Sequence, residues 1–578
     1  MVPQTQDGMA LQKPHGNKPN GFFIMNKFTK IILSIGLLTI SACSSAETDK
    51  SNQQADLNEK IMINAKVWTG NEDQPWAETV VMKDDRIIAV GGPELKNEHP
   101  GAEVIDVAGK LVLPGFIDNH THFMDGSASL LGIKTQGTKS SAEFIETVKN
   151  YAANAPEGEW ITGGLWDHEA WEGQLPRKEW IDEFTPNNPL FLLRTDGHMA
   201  IVNSLVLKLA GITKDTPDPE GGLIVRDENG DPTGVLKDNA MNVVYSIVPP
   251  MTTAQATRTF DAGIQEALEN GVTQIHNMGT WDNIALFKKA KDEGRLKIRV
   301  YYFPLIPNVH KLHDMIERDG KGDNWLRFGG VKELADGSLG STTAWFYEPY
   351  TDEPDTNGFP LMQMDVLKKN LAEANDLGFQ LAVHAIGDQT NDNLIRIFEE
   401  IGATGNRPRI EHAQHLTPAA IKKMAELGVI ASVQPYHAID DGRWAEKRIG
   451  KERLAGTYPF KSLFDAGAIV TFGSDWMVAP LEPLSGIYAA VTRRTLDGKN
   501  PDGWVPEQKI SVEQAVKAYT INNAYAGFQE NDLGTIEPGK LADMVVISDN
   551  IFDIDPAEII NTKVLLTIVG GDIKYSFK

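Results

Sequence analysis

Cysteine is the scarcest residue in this chain, with Cys43 the only one among 578 residues. A lone cysteine cannot form an intrachain disulfide, and it leaves the body of the chain without a thiolate metal site or a cysteine nucleophile. Any metal ion bound there must be held by histidine, by carboxylates or by a modified lysine.

Basic charge is also scarce, since 55 Lys and Arg face 79 Asp and Glu, a net charge of −24. Nucleic-acid binding needs Lys and Arg to neutralise phosphates, and no basic stretch is present, so a nucleic-acid partner is excluded. The hydrophobic content of 41% and charged content of 23% are ordinary for a globular protein. The length suits either more than one domain or one large barrel with accessory parts.

The most apolar segment near the N-terminus, Ile31–Ile40, is too short to span a bilayer comfortably. It follows Lys27 and Lys30 and precedes Ser41, Ala42 and Cys43, a pattern that resembles a bacterial lipoprotein signal with Cys43 as the lipidated residue. Ile40 stands where such signals usually carry Leu. The alternative is an uncleaved anchor helix.

We therefore interpret residues 1–43 as a lipoprotein-type signal, with 1–24 as a gene-model extension because Met25 is the more natural start. Residues 44–58 are polar and predict a flexible tether. A lipid on Cys43 would place the protein in the cell envelope, facing the periplasm or the exterior. The lipid anchor would be its only contact with the membrane.

Both ends of the remaining chain are rich in short strand patterns. Residues 59–112 and 530–578 alternate or run apolar between Gly, Asp and Asn turns. We predict one small β-sandwich built from both ends; two unrelated hairpins are the alternative.

The middle, residues 113–529, alternates short apolar strands with helical patterns, and eight such strands predict an α/β fold, a (β/α)8 TIM-like barrel. The candidate strands are "GFIDNHTHF", "GVTQIHNMG", "KIRVYYFPL", "GGVKELADG", "FQLAVHAIGD", "PRIEHAQH", "GVIASVQPY" and "AIVTFGSDW".

One interval, about 127–255, is too long for a single connection and predicts an insert after the first barrel strand. Its tryptophans, Trp166 among them, could line a pocket or form the core of the insert.

Polar residues gather at the ends of the barrel strands, where the carboxyl ends converge on one face. The first strand ends in His120 and His122, whose i, i+2 spacing points both side chains the same way. Neutral imidazole is a good ligand for zinc and similar ions. Later strand ends carry Lys332, His384, His412 and Asp475.

These strand ends and their surroundings resemble the amidohydrolase superfamily, specifically the YtcJ-like group, or amidohydrolase family 3, which includes N-substituted formamide deformylases. The resemblance covers about residues 60–578 and implies a metal-bearing barrel with a β-sandwich. The matching motifs are "PGFIDNHTH", "RTDGHMAIVNS", "DPTGVL", "VKELADGSLGS", "VHAIGD", "IEHAQH", "FGSDW" and "GTIEPGKLADMVVI".

The resemblance also implies roles for individual residues. His120 and His122 would bind a divalent metal, most simply zinc, together with Asp475. His384 and His412 would bind a second ion if one is present. Lys332 matches a lysine that relatives carboxylate, and an N6-carboxylysine could bridge two metals; an unmodified, salt-bridged lysine is the alternative.

The implied chemistry is hydrolysis of a non-peptide C–N bond in a small amide, formamide or cyclic amide. A metal lowers the pKa of bound water, and Asp475 would act as general base and then as general acid. An ester or lactone hydrolase, an isomerase on the same site, and a non-catalytic regulatory lipoprotein are the alternatives. A homodimer is an expectation from the family alone.

Three further residues are candidate substrate contacts: His198 in "RTDGHMA", Trp166 in the insert, and Asp336 in "LADGSLGS". Asp336 could equally be a turn former. His276 is expected to be a core histidine, and Asp238 stands where the group often has Glu.

Overall fold

The computed structural model describes residues 58–578. The predicted signal, Cys43 and nearly all of the tether lie outside this range. Within it, no helix combines the length and the apolar character needed to cross a membrane.

Eight short parallel strands form the centre of the structure. Their residues are almost all buried, as expected for strands covered on both faces. All eight coincide with the predicted segments. In chain order they are β1 Phe116–Thr121, β2 Val272–Gly279, β3 Arg299–Pro304, β4 Gly330–Leu334, β5 Gln380–Ala385, β6 Arg409–His412, β7 Ile430–Val433 and β8 Val470–Phe472.

The strands pair in the order of the chain. One parallel sheet contains β1, β2 and β3, with Leu326–Phe328 beside β3, and a second contains β4 to β8. Isolated parallel bridges join Thr121 to Trp476 and Leu305 to Lys332. The end of β1 therefore lies beside the segment that follows β8.

Helices connect these strands, and their ends follow ordinary capping chemistry. Pro418–Leu427, for example, begins after Thr417, whose side chain accepts the Ala420 N–H, and ends at Gly428 in the left-handed region. The main helices are Ser141–Ala152, Ser204–Ala210, Thr253–Glu269, Ile284–Asp292, Val309–Asp319, Met364–Asp376, Asp388–Glu400, Pro418–Leu427, Pro435–Asp441, Pro483–Thr492, Val512–Tyr519 and Ile521–Ala526.

Strands from both chain ends share one sheet. In order, it contains Asp572–Ser576, Val564–Val569, Met544–Ile547, Leu111–Pro114, Lys66–Trp68 and Trp76–Ala77. A second sheet contains Arg86–Gly91, Thr79–Lys83, Glu59–Ile63 and Glu103–Asp106. One buried apolar cluster joins them, with Met62 and Val80 from the second sheet packed among Val112, Met544 and Ile568 from the first.

The segment after β1 has a sheet of its own, in the order Gly222–Arg226, Pro232–Asp238, Met199–Val202, Leu190–Arg194, Ile161–Trp166 and Ile133–Lys134. Separate apolar clusters contain alternate residues of its strands, such as Leu192 in one and Phe191 in the other. The insert therefore has its own core.

Candidate metal and substrate site

The ends of β1 and β8 are tied together by backbone hydrogen bonds. The Asp475 N–H donates to the His120 carbonyl at 2.7 Å, and the His122 N–H donates to the Trp476 carbonyl at 2.6 Å. These bonds place the Asp475 carboxylate beside both histidines, although Asp475 lies more than 350 residues after them in the sequence.

The side chains converge on Asp475 Oδ1. It lies 3.3 Å from His122 Nε2 and 3.5 Å from His120 Nε2. Candidate ligand atoms of His120, His412 and Asp475 all lie within 4.8 Å of one another. Oδ1 is buried, and no described residue offers it a hydrogen bond of good geometry. A buried carboxylate oxygen without such a donor is costly unless a cation satisfies it.

The protonation states also suit a cation. Burial lowers the pKa of His120 to about 4, with the nearby Lys332 adding to the effect, and burial holds the pKa values of His384 and His412 well below normal. Burial raises the pKa of Asp475, but the adjacent His120 and His122 outweigh it and hold the pKa well below its usual value. Imidazoles and a carboxylate whose pKa values are all lowered give up their protons readily, and such a donor set fits a divalent metal.

Lys332 reaches the same cluster from β4. Its Nζ lies 3.0 Å from His120 Nε2, the side chain is buried, and burial lowers its pKa. His384 from β5 and His412 from β6 lie in the same cluster, with ring centroids 4.4 Å apart. The strands β4, β5 and β6 therefore each contribute one residue to it. His384 is held by a hydrogen bond from Nε2 to the Gly337 carbonyl at 3.0 Å.

Two residues not identified from the sequence orient the histidines. Glu411 is fully buried, and its Oε2 lies 2.7 Å from His120 Nδ1, while Arg409 Nε donates to Oε1 at 2.8 Å. The Gln434 Oε1 accepts from His412 Nδ1 at 2.8 Å. Carboxylates and amides in this position fix the tautomer of a ligand histidine and direct its other nitrogen toward the metal. The sequence feature that could have pointed to Glu411 is that it lies, with Arg409, in a short strand between apolar residues, where charged side chains are unusual.

The backbone at this edge is strained. His412 and Asp475 have φ of +75° and +59°, in the left-handed region that non-glycine residues rarely occupy. Such strain persists where surrounding contacts enforce it, and it concentrates at functional sites.

A pocket opens above the cluster and is lined by Asp475, His412 and His384 on one side and by insert residues on the other. His198 is one of these. Its Nδ1 lies 2.7 Å from Asp238 Oδ1, and its ring centroid lies 4.9 Å from that of His384. Its neighbour Asp196 bonds Ser338 at 2.5 Å and Ser341 at 2.8 Å, anchoring this turn of the insert to the segment after β4.

The other two candidate substrate contacts do not line this pocket. Trp166 is fully buried in the insert, donates Nε1–H to the Leu192 carbonyl at 2.9 Å and stacks on Trp171. Asp336 is fully buried and accepts hydrogen bonds from three backbone N–H groups and from the Thr390 hydroxyl. Both side chains have structural partners that account for their burial.

His276 has core contacts, as expected. It is fully buried, Arg409 Nη1 donates to its Nδ1 at 2.9 Å, and burial holds its pKa well below normal.

Comparisons with known proteins identify relatives over most of the chain. The protein LONG AFTER FAR-RED 3 of Arabidopsis thaliana is 37% identical, covering 89% of this chain and 91% of its own. The putative amidohydrolase YtcJ of Bacillus subtilis is 30% identical over 88% of this chain and 98% of its own. The N-substituted formamide deformylase of Arthrobacter pascens is 27% identical over 90% of this chain and 98% of its own.

A solved structure, an uncharacterized metal-dependent hydrolase from Pyrococcus horikoshii OT3, superimposes with a TM-score of 0.70 at 27% identity, covering 86% of this chain and 99% of that one. The likeness indicates the TIM-barrel fold of the metal-dependent hydrolases. Residues 103–575 match the profile of the amidohydrolase family. The chain is therefore an enzyme, a hydrolase for C–N bonds other than peptide bonds, and it belongs to the amidohydrolase family.

Proposed function

We propose that this amidohydrolase cleaves the C–N bond of a small amide, formamide or cyclic amide, with Asp475 moving the proton. The observation that carries the proposal is the buried cluster of His120, His412 and Asp475, in which no described residue gives Asp475 Oδ1 a hydrogen bond of good geometry. The relatives include a formamide deformylase, which supports a C–N bond as the target.

The metal ligands are part of this proposal. His120, His122 and Asp475 would hold one ion, and His384 and His412 would hold a second if one is present. A carboxylated Lys332 would be a ligand that both could share, and zinc is the best match to an imidazole and carboxylate set. When bound, a divalent metal lowers the pKa of water and polarises the substrate carbonyl. Support for the lysine role comes from its burial and from the 3.0 Å between its Nζ and His120 Nε2.

Asp475 is suited to the proton transfers. Asp475 lines the pocket and is fixed to β1 through its backbone N–H. It would accept a proton from the attacking water and return it to the leaving nitrogen, so that a carboxylic acid and an amine leave the site. His198, oriented by Asp238, would contact the substrate from the insert side.

The test is hydrolysis by metal-depleted protein before and after addition of Zn²⁺, measured as amine and formate released from N-substituted formamides. Matched formate esters serve as the comparison. Amide turnover that depends on Zn²⁺ supports the proposal. Ester turnover without amide turnover would favour the ester hydrolase instead.

The domain division and the location are proposed as well. The sheet shared by Leu111–Pro114 and Met544–Ile547 supports one β-sandwich from residues 59–112 and 530–578 around the barrel of 113–529, with the insert at about 127–255. We also propose a lipid on Cys43 and assembly as a homodimer. If Cys43→Ser still fractionates with membranes, the lipid anchor is wrong, and light scattering on the protein would reveal a monomer directly.

A further inference from the structure

One wall of the pocket comes from the segment that follows β7. It contains the helix Pro435–Asp441 and the turn after it, and it contributes His437 and Trp444 to the pocket lining. Each of these residues is 9% exposed.

Both side chains carry a buried polar atom without a partner. His437 Nε2 and Trp444 Nε1 have no hydrogen bond to any described residue. Leaving a buried donor unsatisfied costs free energy, so each of these atoms needs a partner that no described residue provides. Both residues line the same pocket, so a polar group that enters this pocket is the partner we consider.

Backbone hydrogen bonds and ring contacts hold this wall in place. The Trp444 N–H donates to the Asp441 carbonyl at 2.9 Å, and its own carbonyl accepts the Lys447 N–H at 3.0 Å. The Arg194 guanidinium lies 5.9 Å from the centre of the Trp444 ring. The His437 ring is nearly parallel to that of His412, with centroids 6.2 Å apart, so the wall adjoins the metal-ligand cluster.

The charges of the pocket disfavour an anionic substrate. Its lining includes two arginines, and both are already paired. Arg194 bonds Asp167 at 3.1 Å and Asp196 at 2.8 Å, and Arg443 bonds Asp167 at 3.0 Å and also pairs with Asp440. An anionic substituent would meet carboxylates and no uncommitted Lys or Arg among the described lining residues.

We propose that Trp444 and His437 recognise a second polar group of the substrate, beyond the amide that is cleaved. Because the indole N–H can only donate, that group is a hydrogen-bond acceptor, a carbonyl or ether oxygen. The substrate class is thus an amide that carries a second acceptor oxygen and no negative charge. This inference rests on the proposed C–N hydrolysis and narrows it.

The test uses pairs of N-substituted formamides in which an ether oxygen of the substituent is replaced by a methylene group, with the position of the oxygen varied along the chain. For the preferred position, kcat/KM of the zinc-loaded enzyme should be about tenfold higher for the ether than for its methylene partner. Trp444→Phe should lower the ether's kcat/KM by about tenfold, mainly through KM, and leave the methylene partner within about twofold.

Two controls separate recognition from damage to the fold. Trp281→Phe makes the same change in a tryptophan outside this pocket and should leave both rates unchanged. His437→Gln retains a hydrogen-bonding group and should keep more of the preference than His437→Leu.

The inference is overturned if the wild-type enzyme treats every pair alike, or if Trp444→Phe slows both members of a pair equally. A carboxylate-bearing formamide hydrolysed as fast as its methyl ester would also overturn it. Failure of the proposed function looks different, because the zinc-loaded wild-type enzyme would then hydrolyse neither member of any pair.

Discussion

Replacing Glu411 by Gln probes the contact that orients His120. Glu411 presents two oxygens to two sets of donors, with Arg409 Nε at Oε1 and His120 Nδ1 at Oε2. Glutamine has one oxygen, so its NH2 group must face one of these donors. The site is fully buried, so water cannot relieve the conflict.

Loss of such an orienting group typically weakens metal binding by about 10- to 100-fold, or about 1.4 to 2.7 kcal/mol. Competition with a chromogenic chelator would measure the zinc affinity of Glu411→Gln. Glu333→Gln is the matched control, because Glu333 is a buried carboxylate on β4 that accepts a hydrogen bond from the Leu334 N–H. Unchanged zinc affinity in a folded Glu411→Gln protein would refute the assigned role of Glu411.

Three other predictions follow from single side chains. In Gly340→Ala the new Cβ would lie 2.3 Å from Arg194 Nη1, and the carboxylate partners of Arg194 hold that guanidinium in place. We therefore expect the free energy of unfolding to fall by about 1–3 kcal/mol and turnover to be reduced. A denaturant titration equal to that of the wild type would contradict this. Burial raises the pKa of Asp441 to about 7, so this carboxyl stays protonated in the folded protein while it ionises in the unfolded chain above about pH 4. The free energy of unfolding therefore falls as pH rises from about 4 to 7. Asp441→Asn removes that penalty and should raise the melting temperature relative to wild type more at pH 8 than at pH 5, and an equal difference at both pH values would count against it. Lys332→Ala should lose part of the bound metal and regain it when acetate or formate is added, as metal analysis would show; full metal content without either acid would rule out a carbamate ligand.

The eight central strands could be predicted because each is a short apolar run and helical patterns lie between several of them. Five of them, β1, β4, β5, β6 and β8, also carry a candidate ligand at or near the carboxyl end. His120 and His122 illustrate the reasoning and its limit. Their spacing predicted a shared direction, and Nε2 of each indeed lies within 3.5 Å of Asp475 Oδ1. Their burial differs, however, because His120 is enclosed by Glu411 and Lys332, while the His122 side chain is 34% exposed.

Glu411 and Gln434 could not be assigned from the sequence. Each acts on a histidine of another strand, and strand periodicity shows which face a side chain occupies but not its neighbour across a sheet. The residues that line the pocket could not be predicted from the sequence for the same reason. The sequence does not distinguish Trp166 from Trp444, but the Trp166 indole N–H has a carbonyl partner inside the insert and that of Trp444 has no partner among the described residues.

Asp475→Asn provides the most direct test of the central claim. The substitution keeps one side-chain oxygen near the histidines but removes the negative charge and the ability to accept a proton. Zinc content and the rate of amine release from a formamide would be measured on the same preparation. We expect zinc to stay largely bound while turnover falls to background. A zinc-loaded Asp475→Asn protein that still hydrolyses the formamide at the wild-type rate would contradict the account.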